Sequence, residues 1–287
     1  MKKENFTHPI IEQENSIYER GLMVFDDICN MPVIDESYTS PFMTVCLCMQ
    51  GNVRGECDMR PYTFRPHAIS VLAPDRILCV HEVSDDYRAM LLVMSPQFRT
   101  EMIRRFPSIY NDNYRYMWQA DMVLTNRQFE TLHMLFVLLH TVSQGDSPYR
   151  TDMLANLLEV LFLTMQDYRC ENGYGDYHPS AQEQLFARFY EAIIEHYRES
   201  HEVRFYASLL HLTPKYFSTI IKQQTGINAL QWINSYITIQ AKSLLRHREL
   251  TIQQVALQLG FADQAAFSRY FKNNAGMSPT DYRQQYA

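Results

Sequence analysis

Two stretches in the last third of the chain read as imperfect copies of one another, which sharply limits the folds open to it. Ala207, Leu210, Leu212 and Thr213 match Ala256, Leu259, Phe261 and Ala262 at an offset of 49 residues. After one extra residue in the second copy, Phe217, Ser218, Lys222 and Gly226 match Phe267, Ser268, Lys272 and Gly276 at an offset of 50. In each copy the shared apolar positions supply a small helical core, and a glycine suits a left-handed cap at the end of the second helix. A short helix, a tight turn and a second helix with polar and basic groups outward is the pattern of a helix-turn-helix, whose second helix can enter a DNA major groove. The clearer copy runs from Val255 to Pro279, and the two units occupy about 206–227 and 254–277.

Thr213-Pro214 predicts the start of the first outer helix, as N-cap and first helical residue, and Asp263 the start of the second. Between the units, Leu230 to His247 reads as one helix of 18 residues, about 27 Å long. With each unit's offset added, the outer helices fall roughly 34 Å apart, one turn of DNA. Solvated basic helices in an ordinary bundle would show similar residues, but not two units at this spacing.

The formal charge of −6 opposes binding to a polyanion until it is divided along the chain. Residues 181–287 carry 11 Lys and Arg against 8 Asp and Glu, whereas residues 1–180 carry 15 against 24. A phosphate backbone responds to the local field, so the net of +3 is what matters. The 46% hydrophobic and 20% charged residues are those of a soluble protein. No apolar run is long enough for a membrane span, and the N-terminus has no apolar run behind its lysines, so a cytoplasmic protein is expected. Six cysteines without regular spacing suggest free thiols.

Residues 17–94 are strand-like. Met43–Gln50 reads as a half-buried strand with Thr44, Cys46 and Cys48 on one face; Gly51-Asn52 reads as a hairpin turn, with Val53–Asp58 returning. Short strands punctuated by Pro66 and Pro74 suggest a barrel or jelly roll. Ser95-Pro96 should cap a helix reaching Arg105. Two apolar-striped helices then form a hairpin, broken at Gln144–Pro148, which could lie on the barrel or form a dimer seam. Cys170–Ser180 is turn-rich and reads as a linker. The expected fold class is α+β: a cupin-like barrel over 1–169 including the hairpin 125–169, a linker over 170–182, and an all-α domain over 183–287.

The region from Phe186 to Ala287 resembles the DNA-binding domain of AraC/XylS-type transcription regulators. Ile252–Ala256, Leu259-Gly260-Phe261, Phe267–Lys272, Gly276–Pro279 and Tyr282-Arg283 fall in that family's order and spacing. The resemblance implies seven helices, an N-terminal cupin-like effector or dimerisation domain, and double-stranded promoter DNA as partner. It also implies that Lys215, Ser218 and Thr219 face base edges from the first recognition helix, and Gln264, Ala265, Ala266 and Arg269 from the second. Arg269 could grip guanine and Gln264 adenine bidentately, while the alanines could touch only a thymine methyl. Thr213, Lys222 and Lys272 are placed for phosphates. Three positions depart from the family: Thr219 and Ile237 stand where arginine is usual, and His211 stands at the turn glycine.

Other chemistry is weakly supported. His67 and His81 are isolated and lack the spacing of a metal-binding cupin. Cys46, Cys48 and Cys57, the last placed across the expected hairpin, could bind a soft metal or sense oxidation, but read more simply as buried thiols. No phosphate-cradling loop or nucleophile elbow occurs, so no enzyme activity, metal or cofactor is expected. Tyr38, Phe42, Tyr62, Phe64 and Tyr87 could line an effector pocket or simply form core. The expectation is therefore a homodimeric, sequence-specific regulator with a small-molecule effector, and RNA polymerase as a further candidate partner. The competing readings are a ligand-independent dimeric regulator and a metal-dependent cupin enzyme fused to a DNA module.

Overall fold

A computed structural model describes residues 14–28, 34–106, 121–173 and 180–286. The chain divides into two compact units, Met1–His178 and Pro179–Ala287. The first opens with α1 (Glu14–Arg20), followed by β1 (Leu22–Ile28), β2 (Ile34–Tyr38), β3 (Met43–Gln50), β4 (Val53–Cys57), β5 (Arg60–Phe64), β6 (Ala68–Leu72), β7 (Leu78–Val83) and β8 (Arg88–Met94). Then come α2 (Pro96–Arg105), β9 (Asp121–Val123), α3 (Asn126–Gln144) and α4 (Arg150–Glu171). The strands pair antiparallel in two sheets, ordered β1-β8-β3-β6-β9 and β2-β7-β4-β5.

The larger sheet is covered on both faces. Cys46, Cys48, Leu91 and Val93 meet Val53, Phe64 and Val80 in the core between the sheets. On the opposite face Met43, Val45, Leu47, Val71 and Leu92 pack with Leu132, Phe136, Leu158 and Phe162 of the helical hairpin. β3 is therefore buried on both sides from Met43 to Cys48, which corrects the half-buried expectation. The hairpin's inner face covers the sheet, each fully buried Leu or Phe contributing about 1.5–3 kcal/mol.

Local chemistry explains the helix ends. The Ser95 hydroxyl accepts the Phe98 amide at 3.2 Å with Pro96 at the first helical position. Thr125 and Gln128 form a reciprocal capping box at the start of α3. Two expectations fail. Ile17 is buried in α1 rather than in a strand. The Gly51-Asn52 turn does not return β4 along β3: it passes the chain to the other sheet, where β4 pairs with β5 and β7. Ser84 holds that crossing, its hydroxyl accepting the Asn52 amide at 2.8 Å while its own amide donates to the Asn52 carbonyl at 3.0 Å. Cys57 consequently lies not across a hairpin from Cys46 and Cys48 but beside Arg76, whose Nη2 points to its Sγ at 3.4 Å.

The second unit is helical: α5 (Ala181–His196), α6 (Val203–Leu209), α7 (Pro214–Thr225), α8 (Ala229–Arg246), α9 (Ile252–Gln258), α10 (Gln264–Ala275) and α11 (Pro279–Tyr286). Its core is aromatic. Phe186, Tyr190 and Trp232 meet in one cluster, Phe189 meets Tyr206 and Phe217 edge-on, and Phe267, Phe271 and Tyr282 pack in the second half. The connection between units is shorter than the sequence suggests. Cys170 and Glu171 still belong to α4, and Ser180 caps α5, its hydroxyl accepting the Glu183 amide at 3.2 Å.

Candidate nucleic-acid interface

The two repeats are built by the same backbone bonds. The Leu212 amide donates to the Ala207 carbonyl at 2.9 Å, and the Phe261 amide donates to the Ala256 carbonyl at 3.0 Å. His211 and Gly260, between the paired helices, both have positive φ, 57° and 77°. α7 and α10 each start at a side-chain cap: Thr213 Oγ1 accepts the Tyr216 amide at 3.4 Å, and Asp263 Oδ1 accepts the Ala266 amide at 2.7 Å. Both end at glycine, Gly226 and Gly276, with φ of 78° and 80° and amides bonded to the Lys222 and Lys272 carbonyls. α7 and α10 are 12 residues each, and they flank the 18-residue α8, a rod of about 27 Å.

The outer helices carry polar groups on their solvent-facing sides. Lys215, Thr219 and Lys222 on α7, and Gln264, Ala265, Arg269 and Lys272 on α10, are exposed; Ser218 and Ala266 are half-buried. Thr213 is exposed at the entrance to α7. Its hydroxyl accepts a backbone amide, which leaves the O–H free to donate to a phosphate. Phe217 and Phe267 turn inward and are fully buried, fixing which face looks out.

Residues 206–285 match the family model of the helix-turn-helix domain. The chain is 32% identical over 150 residues to the arabinose operon regulatory protein of Salmonella typhimurium, covering 52% of each chain. It is 25% identical over 190 residues to the transcriptional activator RhaS of Escherichia fergusonii, covering 66% of this chain and 64% of that one. Thus it spans about half the length of the arabinose regulator it matches. The C-terminal unit is a helix-turn-helix domain similar in sequence to those of these regulators. Among solved structures, ToxT from Vibrio cholerae shares the fold across 93% of this chain and 99% of its own, with 14% identity and a TM-score of 0.50.

In this helix-turn-helix domain the three departures from the resembled family acquire physical meaning. The Thr219 hydroxyl donates back to the Lys215 carbonyl at 2.9 Å, so its proton is spent within the helix. His211 tolerates its left-handed backbone in an exposed turn. Gly260 has no such latitude, because a Cβ there would meet the Arg198 carbonyl oxygen at 1.9 Å. Ile237 is fully buried, so the charge expected near DNA or in an ion pair is replaced by core packing.

Tyr216, which carries no motif signal, is 57% exposed on the first turn of α7. The 50-residue offset aligns it with Ala266, and following the repeat through this position would have found it.

The structure also places the other candidates. Phe42, Phe64 and Tyr87 lie in the inter-sheet core with Tyr62 packed against it. Tyr62 donates to Ser70 Oγ at 3.0 Å, and the Tyr87 hydroxyl lies 3.7 Å from Cys46 Sγ. Tyr38 is half-buried at the end of β2. Burial pushes the Cys46 thiol up and raises Cys48 and Cys57 to about 12, so these thiols stay protonated and poorly nucleophilic. His67 stacks on Phe129 with ring centres 4.3 Å apart, and His81 Nε2 lies 3.5 Å from Glu56. Among the described residues no group of three or more His, Cys, Asp or Glu could hold a metal, and no helix is long and apolar enough to cross a membrane.

Proposed function

We propose that this protein is a cytoplasmic, sequence-specific transcription regulator rather than an enzyme, and that it grips promoter DNA through α7 and α10. The observation that carries this reading is the repetition of one turn geometry, with matching bonds and caps, on either side of α8. Two recognition helices on one rod can engage successive major-groove segments on the same side of a duplex. Arg269 and Gln264 read bases from α10, whereas Lys215 and Ser218 contribute on α7. Thr219 and the two alanines add only apolar or accepting contacts, and Thr213, Lys222 and Lys272 hold phosphates.

The N-terminal unit, Met1–His178 with its hairpin, joins two copies and takes a small effector whose occupancy changes how the DNA-binding units are presented. Support for pairing lies on the outer face of the hairpin. Met134, Val137 and Leu138 of α3 and Met153, Val160 and Leu163 of α4 are 44–63% exposed, and contiguous apolar surface on a folded unit marks an interaction site. RNA polymerase contact would follow from action at promoters.

The test is selection of duplexes from a random library by the full chain. A recovered consensus with two protected segments one helical turn apart is expected; recovery of no sequence preference at low salt would refute the reading. A metabolite screen by thermal shift and promoter affinity addresses the effector.

A further inference from the structure

α8 is not the only connection between the two helix-turn-helix units. His201 lies on the loop between α5 and α6, in the first half of the domain, and its ring reaches into the second. Nε2 lies 2.9 Å from the carbonyl oxygen of Leu259, the C-cap residue of α9. A carbonyl only accepts, so Nε2 carries the proton and donates. The same ring packs on Phe261 at 4.5 Å and on Tyr270 of α10 at 5.8 Å. Burial lowers the His201 pKa against the opposing pull of its Leu259 and Tyr197 backbone bonds.

Two further contacts close the arrangement. Tyr270 donates across to Asn234 of α8, at 3.0 Å from Oδ1 and 3.4 Å from the carbonyl oxygen. Gly260, in the turn before α10, lies so near the loop after α5 that no Cβ fits beside the Arg198 carbonyl. The second recognition helix is therefore gripped from α8 on one side and from the α5–α6 loop on the other. α9, α10 and α11 already pack along α8, and the contacts from the α5–α6 loop brace the second unit against the first half of the domain as well.

We propose that His201 is a positioning residue: it latches the Leu259–Phe261 turn to the first unit and so fixes the spacing and phase at which α7 and α10 meet DNA. It touches no base, and its effect is on which distance between the two DNA segments is accepted. The inference rests on the proposed reading of both helices as groove binders.

The test uses the full chain and the duplex it selects from a random library, together with versions carrying one or two base pairs inserted between the protected segments. Each inserted pair displaces the second segment by about 3.4 Å. Wild type should bind the two-pair insertion at least roughly tenfold more weakly, the cost of losing one good base contact. His201→Ala should bind the selected duplex roughly fivefold more weakly, and the ratio between selected and inserted duplexes should shrink by about the same factor. His201→Gln, which restores an N–H donor, should recover much of the ratio. Tyr270→Phe, which keeps the ring and loses the Asn234 bond, should also flatten it, and His201→Phe, which keeps an aromatic ring on Phe261 but has no N–H for the Leu259 carbonyl, decides the matter if His201→Ala does not fold. Unchanged spacing ratios in folded variants, even with a lower melting temperature, would overturn the latch. A wild-type chain that selects no duplex, or protects one segment, would instead refute the underlying reading and the latch with it.

Discussion

The proposed reading assigns base choice and affinity to different side chains within one turn of α10. Arg269 and Lys272 are both exposed on that helix, and among the described residues neither side chain is held in an ion pair. Arg269→Ala should remove about 1–3 kcal/mol of discrimination at one base pair. Lys272→Ala should weaken selected and random duplexes alike and reduce the salt dependence by about one unit of slope. Fluorescence anisotropy across a salt series separates the two; equal loss on both duplexes for Arg269→Ala would remove its assigned role. The turns make a second contrast. Gly260→Ala combines a strained backbone, about 1–3 kcal/mol, with collision against the Arg198 carbonyl. His211→Gly should be neutral to slightly stabilising, because the exposed His211 already occupies the left-handed region. Chemical denaturation of both variants checks the ordering. The sequence signalled these special backbone positions because the repeat aligns His211 with Gly260. It could not signal that only one turn lies against another backbone segment.

Elements were legible where the chain announces its ends chemically. Ser95-Pro96, Thr213-Pro214, Gly226 and Gly276 mark helix boundaries that the structure keeps. The strands β2 (IDESY) and β5 (RPYTF) lack a clear apolar alternation and gave no such signal. The crossing at Gly51-Asn52 is not legible, because a tight turn specifies a reversal, not which sheet receives the next strand. The hairpin α3–α4 was legible as two helices, but its stripe could not be assigned until Leu132, Phe136, Leu158 and Phe162 were placed against the sheet. The outward Val160 and Leu163 remain 48% exposed. Val160→Glu should leave unit stability within about 0.5 kcal/mol while shifting sedimentation from dimer to monomer and weakening operator binding. A variant that still sediments as a dimer would move the seam elsewhere.

At the scale of the whole molecule, the two units should answer alkaline pH at different points, because different buried acids stabilise them. In the N-terminal unit Cys46, Cys48 and Cys57 are buried and their thiols raised by desolvation, the latter two to about 12, from an ordinary value of 9.0. As pH rises past 9 the unfolded chain releases these protons while the folded unit retains them. The folded state then binds more protons, and stability falls with pH. Below about pH 8 both states are protonated and this contribution is fully present. In the C-terminal unit the corresponding groups are the buried phenols of Tyr206 and Tyr270, raised by burial from an ordinary 10.0, so the same loss begins a unit higher. Urea unfolding followed by thiol alkylation and mass readout distinguishes them. Cys170, exposed, should label at once at every pH, whereas the buried thiols should label only on unfolding. Their midpoint should move to lower urea between pH 8 and 10, ahead of any change in C-terminal protection followed by hydrogen exchange. A midpoint that stays fixed across that range would mean that the thiols reach solvent in the folded unit, and that the inter-sheet core is less closed than its packing indicates.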